Sequence, residues 1–182
     1  MNLYILRHAS AGTKRLNPLL DLKRPLDKDG KTHCLRLAHV INGMKINFDL
    51  VVSSPLKRAM QTAQLVGTET GYEAKILISN ALSPAASFTH FQRLLRECSA
   101  YENVLVVGHN PNITTFAGRL IAPAQATAED ASHSRVRLRK GSMARLSFTR
   151  GPATLQWLLD PRIVRTLYTT STTSSLLKTS RK

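Results

Sequence analysis

Three short apolar segments, each followed by polar residues, constrain the fold of this chain most strongly. They cover residues 2–6, 48–52 and 103–107, and the third, Asn-Val-Leu-Val-Val, has the strongest strand pattern. Apolar runs of this length without clean alternation are typical of strands that are buried on both faces. Helical patterns separate the three segments, and strands that alternate with helices form a mostly parallel sheet. The sequence therefore predicts an α/β fold: a three-layer α/β/α sandwich with a mostly parallel central sheet and additional C-terminal strands.

The remaining segments predict four helices, one short strand, a long loop and a C-terminal β-hairpin. Residues 9–28 are basic and contain proline, and they predict a loop long enough to fold over a site. The helices are expected at residues 30–42, from Ser53-Ser54-Pro55 to about 70, at 88–98 and at 112–120, the short strand at 74–78, and the hairpin at 142–148 and 153–159. A serine cap with proline in the first turn predicts the start of the second helix.

The domain organisation follows from length and composition. A chain of 182 residues fits one domain. Residues 1–160 are expected to form it, and 161–182 a C-terminal extension. The extension ends in a stretch rich in Ser and Thr, residues 169–182, which predicts a disordered tail.

Hydrophobic residues make up 42% of the chain, yet no apolar run approaches the roughly 20 residues of a membrane span. The N-terminus also lacks a signal-peptide pattern. We expect a cytoplasmic protein without a membrane partner, with a monomer as the default assembly. Cys34 and Cys98 lie in separate helical patterns, which predicts two buried thiols and neither a zinc site nor a disulfide.

The net charge is strongly positive. Lys and Arg outnumber Asp and Glu by 26 to 11, which gives a formal charge of +15. Such a field attracts phosphates, nucleic acids and acidic proteins alike, so the chemistry of a site has to distinguish them.

Phosphate-directed side chains follow the three apolar segments. Arg7 and His8 end the first, Arg58 lies one helical turn beyond Ser53-Ser54-Pro55, and His109 follows the third. Ligands of open α/β sheets bind beyond the carboxyl ends of the strands, so these four residues are expected to meet there. Planar arginine forks suit phosphoryl oxygens. A neutral imidazole attacks phosphorus through one nitrogen while the other donates to a backbone carbonyl. We interpret His8 as the nucleophile, and His109, at a helix start, as a donor to the transferring oxygens.

These residues belong to longer motifs that resemble the histidine phosphatase superfamily. The motifs are Leu6-Arg7-His8-Ala9, then Ser53-Ser54-Pro55-Leu56-Lys57-Arg58-Ala59 with Gln61-Thr62, and Val107-Gly108-His109-Asn110-Pro111, in the family's order. The stretch Asp21-Leu22-Lys23-Arg24-Pro25-Leu26, followed by Gly30, is similar to the SixA-type phosphohistidine phosphatases.

The resemblance, over residues 1–160, implies a phosphoenzyme mechanism. His8 takes the phosphoryl group, Arg7, Arg58 and His109 hold it, and water releases it. Arg24 matches a further phosphate-binding arginine, and Asp21 a nearby carboxylate. No metal or other cofactor is expected, because the arginines supply the positive charge.

The sequence lacks one catalytic residue that the larger branches of this superfamily have. The mutases and ester phosphatases have a glutamate that protonates the leaving oxygen, whereas the matching stretch here, residues 81–86, contains no carboxylate. An alkoxide usually needs such an acid, but a phosphohistidine leaves as neutral imidazole once its ring is protonated. The gap favours a phosphohistidine on a signalling or phosphocarrier protein over a sugar phosphate, nucleotide or other small phosphomonoester. Asp21 fits the role of acid and that of a partner orienting Arg24 or His8 equally well.

A basic run suggests a different class of function. On a strand, Arg135, Arg137 and Arg139 of the segment 133–140 would share one face, next to Lys140, and could bind nucleic acid or an acidic protein. A solvated or charge-protected edge segment is the favoured interpretation, because no aromatic residues are interspersed. His33, His39, His90 and His133 lack any comparable motif and are expected on helix or loop surfaces.

Overall fold

The computed structural model of the chain describes residues 1–123, 136–149 and 151–179. Its six strands are β1 (Asn2–Arg7), β2 (Leu50–Ser53), β3 (Leu77–Ile78), β4 (Asn103–Gly108), β5 (Met143–Ser147) and β6 (Thr154–Leu159). The helices are α1 (Pro18–Leu22), α2 (Lys28–Gly43), α3 (Lys57–Glu69), α4 (Phe88–Glu97), α5 (Asn112–Ile121) and α6 (Pro161–Thr179), with a 3₁₀ turn at Asn80–Leu82.

The strands form one sheet in the order β3-β2-β4-β1-β5-β6. The first four strands of the chain pair in parallel, and β5 and β6 add antiparallel to β1 as a hairpin. This confirms the mostly parallel sheet with additional C-terminal strands. In the central pair, Arg7 at the end of β1 is level with Gly108 at the end of β4, so the residues that follow the two strands lie side by side.

Alternate side chains of the central strands enter two separate cores. On β1, Tyr4 and Leu6 pack against α2 and α3, whereas Leu3 and Ile5 pack against α4 and α5. The strands therefore carry apolar residues on both faces, which explains their near-continuous hydrophobicity. Helices cover both sides of the sheet, as the predicted three-layer sandwich requires.

The prediction of a disordered tail is wrong for residues 169–179, which lie in α6. Val164, on the first turn of α6, is fully buried in the core beside α2. Further along, the Tyr168 ring contacts the His39 ring edge-on at 5.0 Å, and His39 Nε2 lies 2.9 Å from Ser171 Oγ. The Ser and Thr content predicted disorder because these residues have low helix propensity, whereas the helix is stabilised by tertiary contacts. Residues 180–182 lie outside the described part, and the division into domain and extension stays a prediction.

Two further local predictions differ from the structure. The segment 9–28 contains the short helix α1, which Asn17 caps by accepting from the N–H of Leu19 at 2.9 Å. Helix α3 begins at Lys57 without a side-chain cap, so the Ser53-Ser54-Pro55 sequence does not start it. Ser53 instead ends β2, and the Ser54 side chain faces His109.

Candidate functional site

The sequence-predicted site residues meet in one cavity at the carboxyl ends of β1, β2 and β4. Arg7 is the last residue of β1, and the N–H of His8 donates to the carbonyl of Gly108 on β4 at 3.1 Å. His109 follows β4, and Arg58 lies in the first turn of α3. The cavity has a volume of about 570 Å³ and is lined by all six predicted residues: Arg7, His8, Asp21, Arg24, Arg58 and His109.

The backbone around His8 fixes the orientation of its ring. His8 Nδ1 lies 2.7 Å from the carbonyl oxygen of Ala9. A carbonyl can only accept, so Nδ1 carries the proton and Nε2 keeps its lone pair. The N–H of Ala9 donates in turn to Thr62 Oγ1 at 3.1 Å, and the Thr62 hydroxyl donates to the carbonyl of Arg58 at 2.8 Å. His8 is therefore held as the tautomer that presents a nucleophilic nitrogen.

Burial keeps both histidines of the site neutral. Desolvation lowers the pKa of His8 to about 4, with the positive charges of Arg58, Arg7 and Lys140 adding to the effect. Desolvation, followed by the charge of His8 and of the surrounding arginines, lowers the pKa of His109 to about 3. The two rings lie 4.9 Å apart between centroids. At neutral pH, His8 thus has the unprotonated nitrogen that attack on phosphorus requires.

We expect the stability of the protein to fall as the pH drops below about 6.5. Imidazoles of the unfolded chain titrate near 6.5, whereas the folded pKa of His8 is about 4 and that of His109 about 3. Between these values the unfolded chain binds more protons, so the free energy of unfolding decreases with falling pH by up to about 1.4 kcal/mol per pH unit for each histidine. Urea unfolding between pH 5 and 8 measures this slope.

The His109→Gln variant should have a shallower slope than wild type, by the contribution of one histidine. His90→Gln is the matched control, because His90 is exposed on α4, and it should keep the wild-type slope. Identical slopes in wild type and His109→Gln would contradict the assigned neutrality of His109.

Ser54 determines the tautomer of His109. His109 Nε2 lies 2.8 Å from Ser54 Oγ, and that oxygen also accepts from the N–H of Leu56 at 3.4 Å. Among the described residues, His109 Nε2 is the one acceptor found for the Ser54 hydroxyl proton, so the hydroxyl donates to Nε2. His109 Nδ1 then carries a hydrogen, and among the described residues this buried atom has no hydrogen-bond partner. His109 itself lines the cavity, so an unpaired donor lies in its wall.

Replacing Ser54 by Ala should release this constraint on His109. We expect kcat to fall about tenfold with little change in KM, because the donor loses its preferred tautomer while the binding groups remain. Ser54→Thr keeps the hydroxyl and should restore most of the activity. Steady-state kinetics of wild type and the two variants test this. Equal kcat in Ser54→Ala and wild type would show that Ser54 does not contribute to catalysis.

Two arginines of the cavity also have buried donors without partners. Of the described residues, Arg7, Arg58 and Arg145 have a buried Nε with no hydrogen-bond acceptor, and the first two line the cavity. Arg7 Nη1 is held by the carbonyl of Leu138 at 3.0 Å. A buried donor left unpaired costs about 1–3 kcal/mol. Three such donors, Arg7 Nε, Arg58 Nε and His109 Nδ1, belong to residues that line one cavity, which indicates an anion-binding site.

Comparison with known proteins decides the family. Residues 3–83 match the model of the histidine phosphatase superfamily (branch 1). Phosphohistidine phosphatase SixA of Escherichia coli K12 is 30% identical over 126 residues, which span 67% of this chain and 73% of that protein. The chain belongs to the histidine phosphatase superfamily.

Solved structures agree on the fold of this histidine phosphatase. The protein histidine phosphatase SixA complexed with tungstate superimposes with a TM-score of 0.75 and 22% identity, over 88% of this chain and 97% of that one. A mycobacterial glucosyl-3-phosphoglycerate phosphatase complexed with VO3 reaches 0.67 with 17% identity, over 86% and 97%. The family match confirms the prediction of a phosphatase, whereas the names of the structural neighbours point to different phosphate compounds.

Asp21 joins two arginines of the histidine phosphatase site. Its carboxylate accepts from Arg24 Nε at 2.8 Å, from Arg58 Nη1 at 3.3 Å and from the N–H of Arg15 at 2.9 Å. The hydrogen bond from Arg15 is the largest of the effects on the pKa of Asp21. With the hydrogen bond and charge of Arg24 and the charge of Arg58, it outweighs desolvation and lowers the pKa below the ordinary value. Asp21 is therefore ionised at neutral pH, and the geometry favours its role as an orienting partner over that of a proton donor.

We expect Asp21→Asn to lower kcat/KM roughly 10- to 100-fold through misplaced arginines. An orienting role predicts the same loss on p-nitrophenyl phosphate and on an alkyl phosphate, because phosphate binding is weakened in both. A role as acid predicts a loss confined to the alkyl phosphate, whose leaving oxygen needs a proton. The ratio of the two losses is the measurement, and a ratio far from one would contradict the orienting role.

The stretch that matches the acid-bearing region of the larger branches is held close to the cavity without a carboxylate. Pro84 lines the cavity, and Asn112 Nδ2 donates to the carbonyls of Ser83 and Ala86 at 3.3 and 2.8 Å. Among the described residues that line the cavity, Asp21 is the one carboxylate. None of the described residues form a cluster of three or more His, Cys, Asp and Glu that could hold a metal. The expectation that no cofactor is needed stays a prediction.

Several contributors to the site were not assigned to it from the sequence. Ser54 was interpreted as a helix cap, and Lys140, which lines the cavity, as part of a basic run. The run does not form a strand over its described residues, 136–140. Instead the carbonyl of Leu138 accepts from Arg7 and, at 2.9 Å, from Asn110. Arg135 lies outside the described residues.

The remaining histidines have mixed outcomes. His39 and His90 are exposed on helices, as predicted, and His133 lies outside the described residues. The prediction of a surface position is wrong for His33, because its ring is half-buried and Nε2 donates to the carbonyl of Gly141 at 2.8 Å. Both cysteines are buried free thiols, as predicted.

No helix in the described residues is long and apolar enough to cross a membrane.

Proposed function

We propose that this histidine phosphatase removes phosphate from a phosphohistidine of a signalling or phosphocarrier protein. The single observation that carries the proposal is the absence of an available acid: Asp21, the one carboxylate among the described lining residues, is ionised by its hydrogen bonds from Arg15, Arg24 and Arg58. Such a site suits a leaving group that departs without an enzymic acid. The similarity to phosphohistidine phosphatase SixA of E. coli supports the same substrate.

In the proposed reaction, the lone pair of His8 Nε2 forms a bond to phosphorus while the P–N bond of the substrate breaks. The electron pair of that bond passes to the substrate imidazole, whose ring carries a proton on its other nitrogen and so leaves neutral. Arg7, Arg24, Arg58 and the N–H at His109 Nδ1 bind the phosphoryl oxygens. Water then attacks phosphorus, and His8 is released together with inorganic phosphate.

The tungstate in the similar SixA structure is an oxyanion of phosphate-like shape. That a protein of the same fold binds such an oxyanion supports the proposal that the cavity here binds a phosphoryl group. A phosphorylated protein as partner, a monomeric state and a cytoplasmic location complete the proposal and rest on the same sequence arguments.

A small phosphomonoester is the alternative substrate, and the fold likeness to glucosyl-3-phosphoglycerate phosphatase favours it. The two are separated by kcat/KM for a phosphohistidine peptide, phosphoramidate, p-nitrophenyl phosphate and an alkyl phosphate. We expect kcat/KM for both P–N compounds to exceed that for the alkyl phosphate by about 100-fold or more. The alkoxide leaving group needs a proton donor, and none was found among the described lining residues. An alkyl phosphate turned over as fast as the phosphohistidine peptide would overturn the proposal.

A further inference from the structure

A second cavity lies beside the active site, between α2 and the start of α6. It has a volume of about 420 Å³. Its charged lining residues are Asp29, Arg36, Lys140, Arg162 and Arg165, and His33 lies among them. Four cations thus face one carboxylate.

No ion pair within 4 Å joins any of the four cations to a carboxylate in the described part of the chain. The ion pairs found there join Arg24 and Arg58 to Asp21, and Arg139 to Asp160. Arg36 has a different contact, since its guanidinium carbon lies 5.7 Å from the centre of the Tyr168 ring. Arg162 and Arg165 are exposed at the start of α6. The cleft therefore concentrates positive charge that an anionic ligand can neutralise.

The turn that carries Lys140 connects the cleft to the active site. Lys140 lines both cavities. The next residue, Gly141, donates its N–H to the carbonyls of Arg7 and His8 at 3.0 and 3.2 Å, and its own carbonyl accepts from His33 Nε2 at 2.8 Å. Gly141 has a φ of 80°, and a Cβ there would collide with the His33 ring. One wall thus separates the two cavities, and Lys140 is common to both.

We propose that this cleft docks an acidic segment of the phosphorylated protein substrate, with Arg162 and Arg165 pairing its carboxylates. The inference rests on the proposed function, since it assigns a specificity site to the same reaction. An acidic protein fits better than nucleic acid. The cleft is a bounded cavity rather than a stripe along which a phosphate backbone could run, and no Phe, Tyr or Trp among its described lining residues offers a surface for base stacking.

The test compares two phosphohistidine peptides, one flanked on both sides by five glutamates and one by five glutamines. Wild type should prefer the glutamate peptide by about tenfold in kcat/KM. Arg162→Glu with Arg165→Glu should abolish this preference, and turnover of phosphoramidate should be unchanged. Arg162→Gln with Arg165→Gln is the milder pair, to be used if the first variant does not fold, and should reduce the preference in the same way.

The matched control is Arg93→Glu with Arg96→Glu. These arginines are exposed on α4, on the opposite face of the sheet, and the change in net charge is the same. The control should keep the preference. An equal loss in both double variants would overturn the docking site, because only the overall field would then act, and so would a preference retained in both.

Two further outcomes are distinguishable. A single-stranded DNA 12-mer that inhibits wild type but not the Arg162/Arg165 variant, with the peptide preference unchanged, would assign the cleft to nucleic acid and overturn the proposal. Failure of wild type to release phosphate from either peptide or from phosphoramidate would instead contradict the proposed function itself.

Discussion

Replacing His8 by Asn should lower kcat for a phosphohistidine peptide by on the order of 10⁴ or more, because the reaction loses its nucleophile. Asparagine can still donate to the carbonyl of Ala9, which accepts from His8 Nδ1 at 2.7 Å in the wild type. The variant therefore removes Nε2 and disturbs the surrounding backbone little. Single-turnover phosphate release measures the loss.

The control for this variant is His90→Asn, since His90 is exposed on α4. It should match wild type in kcat and KM. Activity of His8→Asn within tenfold of wild type would mean that water attacks phosphorus directly, or that another residue is the nucleophile.

Replacing Arg7 by Lys should have the second largest effect, a fall of about 10²–10³ in kcat/KM. Lysine keeps the positive charge but lacks the planar fork that binds two phosphoryl oxygens while also donating to a third group. In the structure that third group is the carbonyl of Leu138, and the buried Nε of Arg7 has no partner among the described residues. Inhibition by inorganic phosphate should weaken at least tenfold, in line with a role in binding the oxyanion.

Arg145→Lys is the matched control, because Arg145 also has a buried, unpaired Nε but lies on β5 outside the cavity, with its side chain bonded to Asn2 at 3.0 Å. It should leave kcat/KM and phosphate inhibition unchanged. Equal effects of the two substitutions would show that loss of a buried guanidinium, rather than loss of a phosphate ligand, explains the result.

The central sheet was predictable because the sequence of each central strand is enough to identify it. Residues of β1 and β4 are apolar toward both cores, so an uninterrupted apolar run identified each strand without knowledge of its neighbours. The end of the chain was not predictable in this way. Helix α6 depends on contacts between Val164 or Tyr168 and elements more than a hundred residues earlier, such as α2, and its Ser and Thr content indicated disorder.

The site was predictable where a residue has a fixed place at a strand end. Arg7, His8 and His109 follow β1 and β4, which pair in parallel, so their proximity follows from topology alone. The roles of Ser54 and Lys140 were not accessible, because they depend on which side chain or turn approaches from another part of the chain. The assignment of Asp21 needed the structure for a similar reason. Arg15 and Arg24, which flank α1, are near it in sequence, but the third donor, Arg58, comes from α3.

The central claim, attack by His8 on phosphorus, is tested most directly by trapping the phosphoenzyme. The wild-type protein is mixed with ³²P-labelled phosphoramidate, quenched in alkaline detergent within milliseconds to seconds, and digested for mass spectrometry. We predict an acid-labile, base-stable phosphoryl group on His8, at no more than one per chain, which disappears in His8→Asn and decays as phosphate is released. A label on His109 or on any other residue, or rapid phosphate release with no labelled protein at any time, would contradict the account.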